Sequence, residues 1–143
     1  MGSRWSRVLP VLLVIAGIAC SGLVAGPESS TVTPVPASRD SAYVRAKRAL
    51  QGELFTLDVQ DSVGGRLTGT RYPSSNAMAG SSATCRVRVA MQIKGRQQQA
   101  EVATTSQWIA SEKMSDNAPK LCEQERSEVL ERTVAVIVPP PTP

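Results

Sequence analysis

Thr84–Ser106, TCRVRVAMQIKGRQQQAEVATTS, decides how the rest of the chain folds. Cys85, Val87, Val89, Met91 and Ile93 alternate with Arg86, Arg88, Ala90, Gln92 and Lys94. A period of two is that of a strand with one buried face. Gly95-Arg96 supplies a two-residue turn, since glycine at the first central position suits a type II′ hairpin. Such a turn pairs Lys94 with Gln97, and the register then sets Met91 against Ala100, Val89 against Val102, Val87 against Thr104 and Cys85 against Ser106. The apolar rows meet, so turn chemistry and hydrophobic pattern agree on an antiparallel hairpin.

A second hairpin precedes it. Phe55, Leu57 and Val59 alternate with Thr56, Asp58 and Gln60, and Asp61–Gly65 (DSVGG) reads as a turn. Arg66–Tyr72 is the return strand, in which Gly69 leaves room for a close approach. Before this hairpin, Ser41–Gln51 has the spacing of an amphipathic helix. Ser38 or Asp40 caps its start, Ala42, Tyr43, Ala46, Ala49 and Leu50 form its apolar side, and Gly52 ends it. Pro73–Ala83 is a loop of small polar residues. After the Thr84–Ser106 hairpin, Gln107–Leu121 leaves the sheet, carrying Trp108 and Ile109 into the core, with a turn at Asp116–Pro119. Glu123–Val136 is a second helix with the stripe Arg126, Val129, Leu130, Thr133, Val134 and Ile137. Its last part, Val134–Val138, is also compatible with a short strand. The expected fold is therefore α+β: a small antiparallel sheet of two β-hairpins flanked by an N-terminal and a C-terminal helix, in two layers.

The other informative stretch is Val8–Cys20, an apolar run behind Arg4 and Arg7. A basic start, an apolar core and small residues at its end are the marks of an export signal. Ala16-Gly17-Ile18-Ala19-Cys20 resembles the lipobox of bacterial lipoproteins, with Gly17 where that family usually has leucine. The resemblance implies cleavage before Cys20, a lipid on its thiol and a membrane anchor. Ser21 resembles the choice that sends such proteins to the outer membrane, facing the periplasm. Two alternatives remain: cleavage near Ala25-Gly26 with release of the chain, or retention of the apolar run as a membrane anchor. The divisions that follow are a signal at 1–19, a flexible Ser/Pro/Thr-rich tether at 20–38, one domain at 39–138 and a proline-rich tail at 139–143.

With Cys20 committed to lipid, Cys85 and Cys122 remain as an even pair, and an oxidising compartment joins them in a disulfide. The loop so closed, about 38 residues, is worth ~4 kcal/mol on the chain-entropy view. The order helix, hairpin, hairpin, helix is also loosely similar to the helix-grip domains of the accessory lipoprotein C of the outer-membrane barrel-assembly machinery. That likeness rests on Ala49-Leu50, Phe55 and Leu57, the Asp61–Gly65 turn and the return strand, and carries no functional residue with it.

Composition narrows the function. Of 143 residues, 16 are basic and 12 acidic, and setting aside Arg4 and Arg7 leaves an excess of two positive charges. An excess so small and so evenly mixed does not make a nucleic-acid surface. The chain has no histidine, the usual general base near neutral pH and the commonest metal ligand. Two thiols without histidine do not complete a zinc shell. Asp58 and Asp61, three apart across a strand end and a turn, read as two solvated acids. No enzyme, cofactor or metal is expected. The one candidate ligand surface is the basic row Arg86, Arg88 and Lys94. The expected role is a non-enzymatic envelope lipoprotein that contacts the membrane through its lipid and an envelope protein through its surface. The alternative is a secreted or periplasmic module that binds a small ligand or an anionic polymer on the sheet.

Overall fold

A computed structural model describes residues 22–73, 85–111 and 116–138. Its elements are β1 (Leu23–Ala25), β2 (Ser29–Val35), α1 (Arg39–Gly52), β3 (Thr56–Asp61), β4 (Arg66–Arg71), β5 (Arg86–Arg96), β6 (Gln99–Ser111) and α2 (Ala118–Ile137). All strand pairs are antiparallel, in the order β1-β6-β5-β4-β3, with β2 also on β6. Both helices pack on one face of the sheet and leave the other open.

The two predicted hairpins are present, but the sheet is larger than they account for. Residues 23–25 and 29–35, assigned to the flexible tether, are strands laid end to end along one edge of β6. Ser and Pro content does not bar structure here, because the edge of β6 offers a partner. Pro34 is compatible with β2 because β2 has a neighbour on one side only, so a missing N–H costs no ladder bond. The signal, Cys20, most of the Pro73–Ala83 loop and the 139–143 tail lie outside the described residues.

The long hairpin differs from its predicted register. Arg96 pairs with Gln99, Lys94 with Glu101, Met91 with Thr104, Val89 with Ser106 and Val87 with Trp108. Gln97-Gln98 forms the turn, with Gln98 at φ 60°. Gly95 instead stays in the ladder at φ 131°, opposite Ala100, where a side chain would run into the backbone of Gln99. Its glycine character serves close approach rather than the turn. The turn keeps its length of two residues, so each pairing moves by an even number of positions on β6, four, and every side chain keeps its expected face. β6 is longer as a result, and Trp108 reaches the core from within the sheet rather than from a segment beyond it.

A β-bulge breaks the alternation of β3. Leu57 pairs with Gly69 and Val59 with Thr68, so Asp58 is the extra residue. Val59 is thereby turned to the open face, where it is exposed. The Asp61–Gly65 turn forms as read, closed by Asp61 Oδ1 accepting from Gly64 N at 2.8 Å. Arg39 on α1 donates to the carbonyls of Ser62 and Val63, which ties that turn to the helix. Ser38 caps α1 by accepting from Ser41 N. The left-handed residue after α1 is Leu54, at φ 64°, and not Gly52.

The core lies between the helices and the inner sheet face. Ala42, Tyr43, Ala46, Ala49 and Leu50 of α1 meet Leu67, Val87, Val89, Met91, Ile93 and Val102, with Val129 and Ile137 of α2. A second cluster joins Cys85, Cys122, Trp108 and Ala110. The Cys85–Cys122 disulfide is formed and fastens the first turn of α2 to the start of β5. α2 is helical through Ile137 and starts earlier than predicted, at Ala118. Proline at 119 fits because the N–H it lacks has no partner in a first turn. Arg132 of α2 forks onto Glu53 at the end of α1, and Arg71 of β4 reaches both Glu53 O and Glu125.

Candidate functional site

The helices pack on the inner face, and among the described residues a cavity able to take a ligand lies on the open face. There a groove of about 580 Å³ crosses the middle of the sheet. Its floor follows from the register. Thr68, Ala90 and Thr105 form one row across β4, β5 and β6, and Thr70, Arg88 and Gln107 form the next. Small side chains in the first row make the depression, and the second row supplies the polar groups. Asp58 stands on the β3 side, Glu28 on the β2 side, and Tyr72 at one end.

Several of these groups are held in place. Thr70 Oγ1 donates to Asp58 Oδ2 at 3.3 Å, beside the bulge in β3. Gln107 Nε2 donates to Gly26 O at 2.8 Å. Among the described residues, Arg88 has neither an ion pair nor a side-chain hydrogen bond, so its five donors remain available. A guanidinium beside hydroxyls, an amide and an aromatic ring, with the carboxylates of Asp58 and Glu28 on the two walls, suits a hydroxylated ligand that sets a single anionic group against Arg88.

The predicted basic row shares the open face, but not one site. Arg88 lines the groove. Arg86 lies over the Tyr72 ring, 5.4 Å from its centre, a cation–π arrangement. Lys94 is six residues from Arg88, roughly 20 Å along the strand, and sits opposite Glu101. Asp58 and Asp61 do not form a pair: Asp58 belongs to the groove and Asp61 to the turn. The Gly64 N–H and Arg66 hold the Asp61 carboxyl below its usual range. Cys20 lies outside the described residues. Sequence reasoning missed Thr68, Thr70, Tyr72, Thr105 and Gln107. Their signal is the lack of large apolar side chains on the outer positions of three strands, which is informative only once the register aligns them.

A second polar group lies inside. Arg126, read as part of the helix stripe, is buried, donating to Glu123 and, from Nη1, to Ser106 Oγ at 3.0 Å. Thr104 Oγ1 and Trp108 Nε1 are buried nearby on β6 without a hydrogen-bond partner among the described residues. The Arg126 hydrogen bonds hold the Glu123 carboxyl below its ordinary pKa of 4.5 against the opposing effect of burial, and the Trp108 N–H adds a smaller pull without reaching bonding geometry. Because the folded-state pKa is the lower one, the stabilisation is complete above 4.5 and is lost as pH falls through the folded value. The melting temperature should therefore decline on acidification below about pH 4.5. In Glu123→Gln that decline should be shallower, as measured by thermal unfolding between pH 3 and 7.

Among the described residues, no three potential metal ligands cluster, and no helix is long and apolar enough to cross a membrane. No protein-family model matches the chain, and no curated protein matches it. Solved structures do. The crystal structure of Ara h 8.0201 aligns with a TM-score of 0.52 at 5% identity, over 80% of this chain and 98% of that one. The di-domain ARO/CYC protein BexL from the BE-7585A biosynthetic pathway aligns at 0.54 and 10% identity, over 78% of this chain and 45% of that one. This chain thus spans less than half of BexL. A DUF4468 family protein from Bacteroides ovatus aligns at 0.50 and 13% identity, over 80% and 86%. The fold is a helix-grip. At these identities the likeness extends to the helix-grip fold alone.

Proposed function

We propose that the protein is a non-enzymatic, exported binding module, held to a membrane by a lipid on Cys20, that receives a small hydroxylated anion or the end of an anionic polymer on the open sheet face. The groove around Arg88 carries this reading. It combines an available guanidinium with ordered hydroxyl and amide groups. The described core side chains pack between the helices and the inner face of the sheet, and the groove on the outer face is where the described polar groups gather.

The attachment of β1 supports retention of residues from Leu23 onward. A cut between Ala25 and Gly26 would remove β1 from the edge of β6 and release Gly26 from its place over the Trp108 indole. A cut before Cys20 keeps both, and so does an uncleaved anchor. A position in the cell envelope, facing the periplasm from the outer membrane, follows from the lipobox resemblance and Ser21.

The groove is tested with glucuronate and glycerol 1-phosphate as anionic probes and glucose as a neutral one, by isothermal titration calorimetry. Both anions are expected to bind and glucose to bind far more weakly. Arg88→Ala should weaken anion binding ~10–100-fold, the value of a charged hydrogen bond at about 1.5–3 kcal/mol. Lys94→Ala should leave it unchanged. Absence of binding by either anion, or equal binding by Arg88→Ala, refutes the assignment.

A further inference from the structure

The chain arrives at the sheet with almost no slack. Only Ser21 and Gly22 stand between Cys20 and Leu23, the first residue of β1. At most about 3.5 Å per residue places the start of β1 within roughly 10 Å of Cys20. The described residues fix what else lies at the end of the domain where β1 begins. It holds the last rungs of β6, the first residue of β5, Arg86, opposite Ile109, and the disulfide-bound first turn of α2.

Exposed apolar side chains collect at this end. Leu23 is 52% exposed, Tyr72 53% and Leu121 44%. Leu54 is 74% exposed and stands two residues before Thr56, the first residue of β3 and the partner of Thr70. Arg86, stacked on Tyr72, and Lys120, beside Leu121, add two cations, and Asp116 is an exposed acid there. Leucines beside an aromatic ring with long cationic side chains are the composition of a membrane-interface surface, where rings lie at headgroup level and cations reach phosphate.

We propose that this end of the domain rests on the headgroup layer of the bilayer, with Leu23, Leu54, Tyr72 and Leu121 in contact and Arg86 and Lys120 on lipid phosphates. The inference depends on the lipidated Cys20 of the preceding reading and goes beyond it, since a lipid on a long tether would leave the domain free to tumble. The sheet then stands on end on the membrane, and the Arg88 groove opens sideways just above the headgroups.

The full chain is tested in its acylated form, in vesicles of phosphatidylethanolamine and phosphatidylglycerol containing a nitroxide-headgroup lipid. A fluorophore is attached at Leu121→Cys, at Lys120→Cys or, at the far end, at Val63→Cys. Quenching at 120 and 121 is expected to exceed that at 63 at least threefold, because the two ends are separated by roughly 25 Å of strand. Intact mass and vesicle flotation are read on the same samples. Acylated protein that floats but is quenched equally at both ends overturns the inference and leaves the lipid anchor standing. Protein with no acyl mass that does not float overturns both.

Discussion

The domain without its disulfide, Cys85→Ala with Cys122→Ala, is expected to lose about 4 kcal/mol of unfolding free energy. The two cysteines are 37 positions apart and both are fully buried. Reopening that loop returns its entropy to the unfolded chain. At ~4 °C or more per kcal/mol for a domain of this size, the melting temperature should fall by roughly 15 °C. The native state changes as well, because the bridge joins the first turn of α2 to β5 beside Trp108 and Ala110. That turn begins with Ala118-Pro119 and has no acidic residue and no side-chain cap, so little else holds it. Hydrogen exchange should accordingly rise first in 118–125, ahead of global unfolding. A melting temperature within a few degrees of the parent would mean that packing alone secures α2.

The second large effect is expected at Gly26. This residue is buried between β1 and β2, its N–H donates to Trp108 O at 3.0 Å, and a methyl group on it would overlap the Trp108 indole. Neither partner has room to yield. The backbone is fixed by its bond to β6, and the indole is packed against the disulfide cluster. Gly26→Val is expected to cost about 3 kcal/mol, at the upper end for overpacking, and to free β1 from Ile109–Ser111. Gly22→Val, at a position with open space but positive φ, should cost less. Denaturant unfolding measures both. A smaller loss at Gly26 than at Gly22 would contradict the packing described.

The sequence revealed those parts of the fold that depend on periodicity. Ala42 to Leu50, Cys85 to Ile93 and Arg126 to Ile137 lie on the predicted faces because burial acts on every second or every third to fourth residue, and that pattern survives an error in the turn. What was not legible depends on single backbone conformations or on neighbours distant in sequence. Gly95 looks like a turn residue, yet its freedom is used to let β6 come close. Gln98 and Leu54 adopt positive φ, and nothing in their side chains announces it. Ser29–Val35 has the composition of a linker, and only the long unpaired edge of β6 makes it a strand. The groove was the least legible part. In the sequence Arg88 stands with Arg86 and Lys94 as a charge row, but the Asp58 bulge and the Thr68–Ala90–Thr105 row exist only through the register of four strands.

The shifted turn of the long hairpin also bears on what lengths of chain the protein can tolerate. Adding or deleting two residues at Gln97-Gln98 would slide the tip outward or inward while leaving Val87, Val89 and Met91 where they are. A single added residue that propagated into β6 would carry Val102, Thr104, Ser106 and Trp108 to the side open to solvent and bring Glu101 and Gln107 against the helices. Changes in length at this tip are therefore admissible in pairs, and the parity of the loop guards the distinction between the sealed side of the sheet and the side that meets its surroundings.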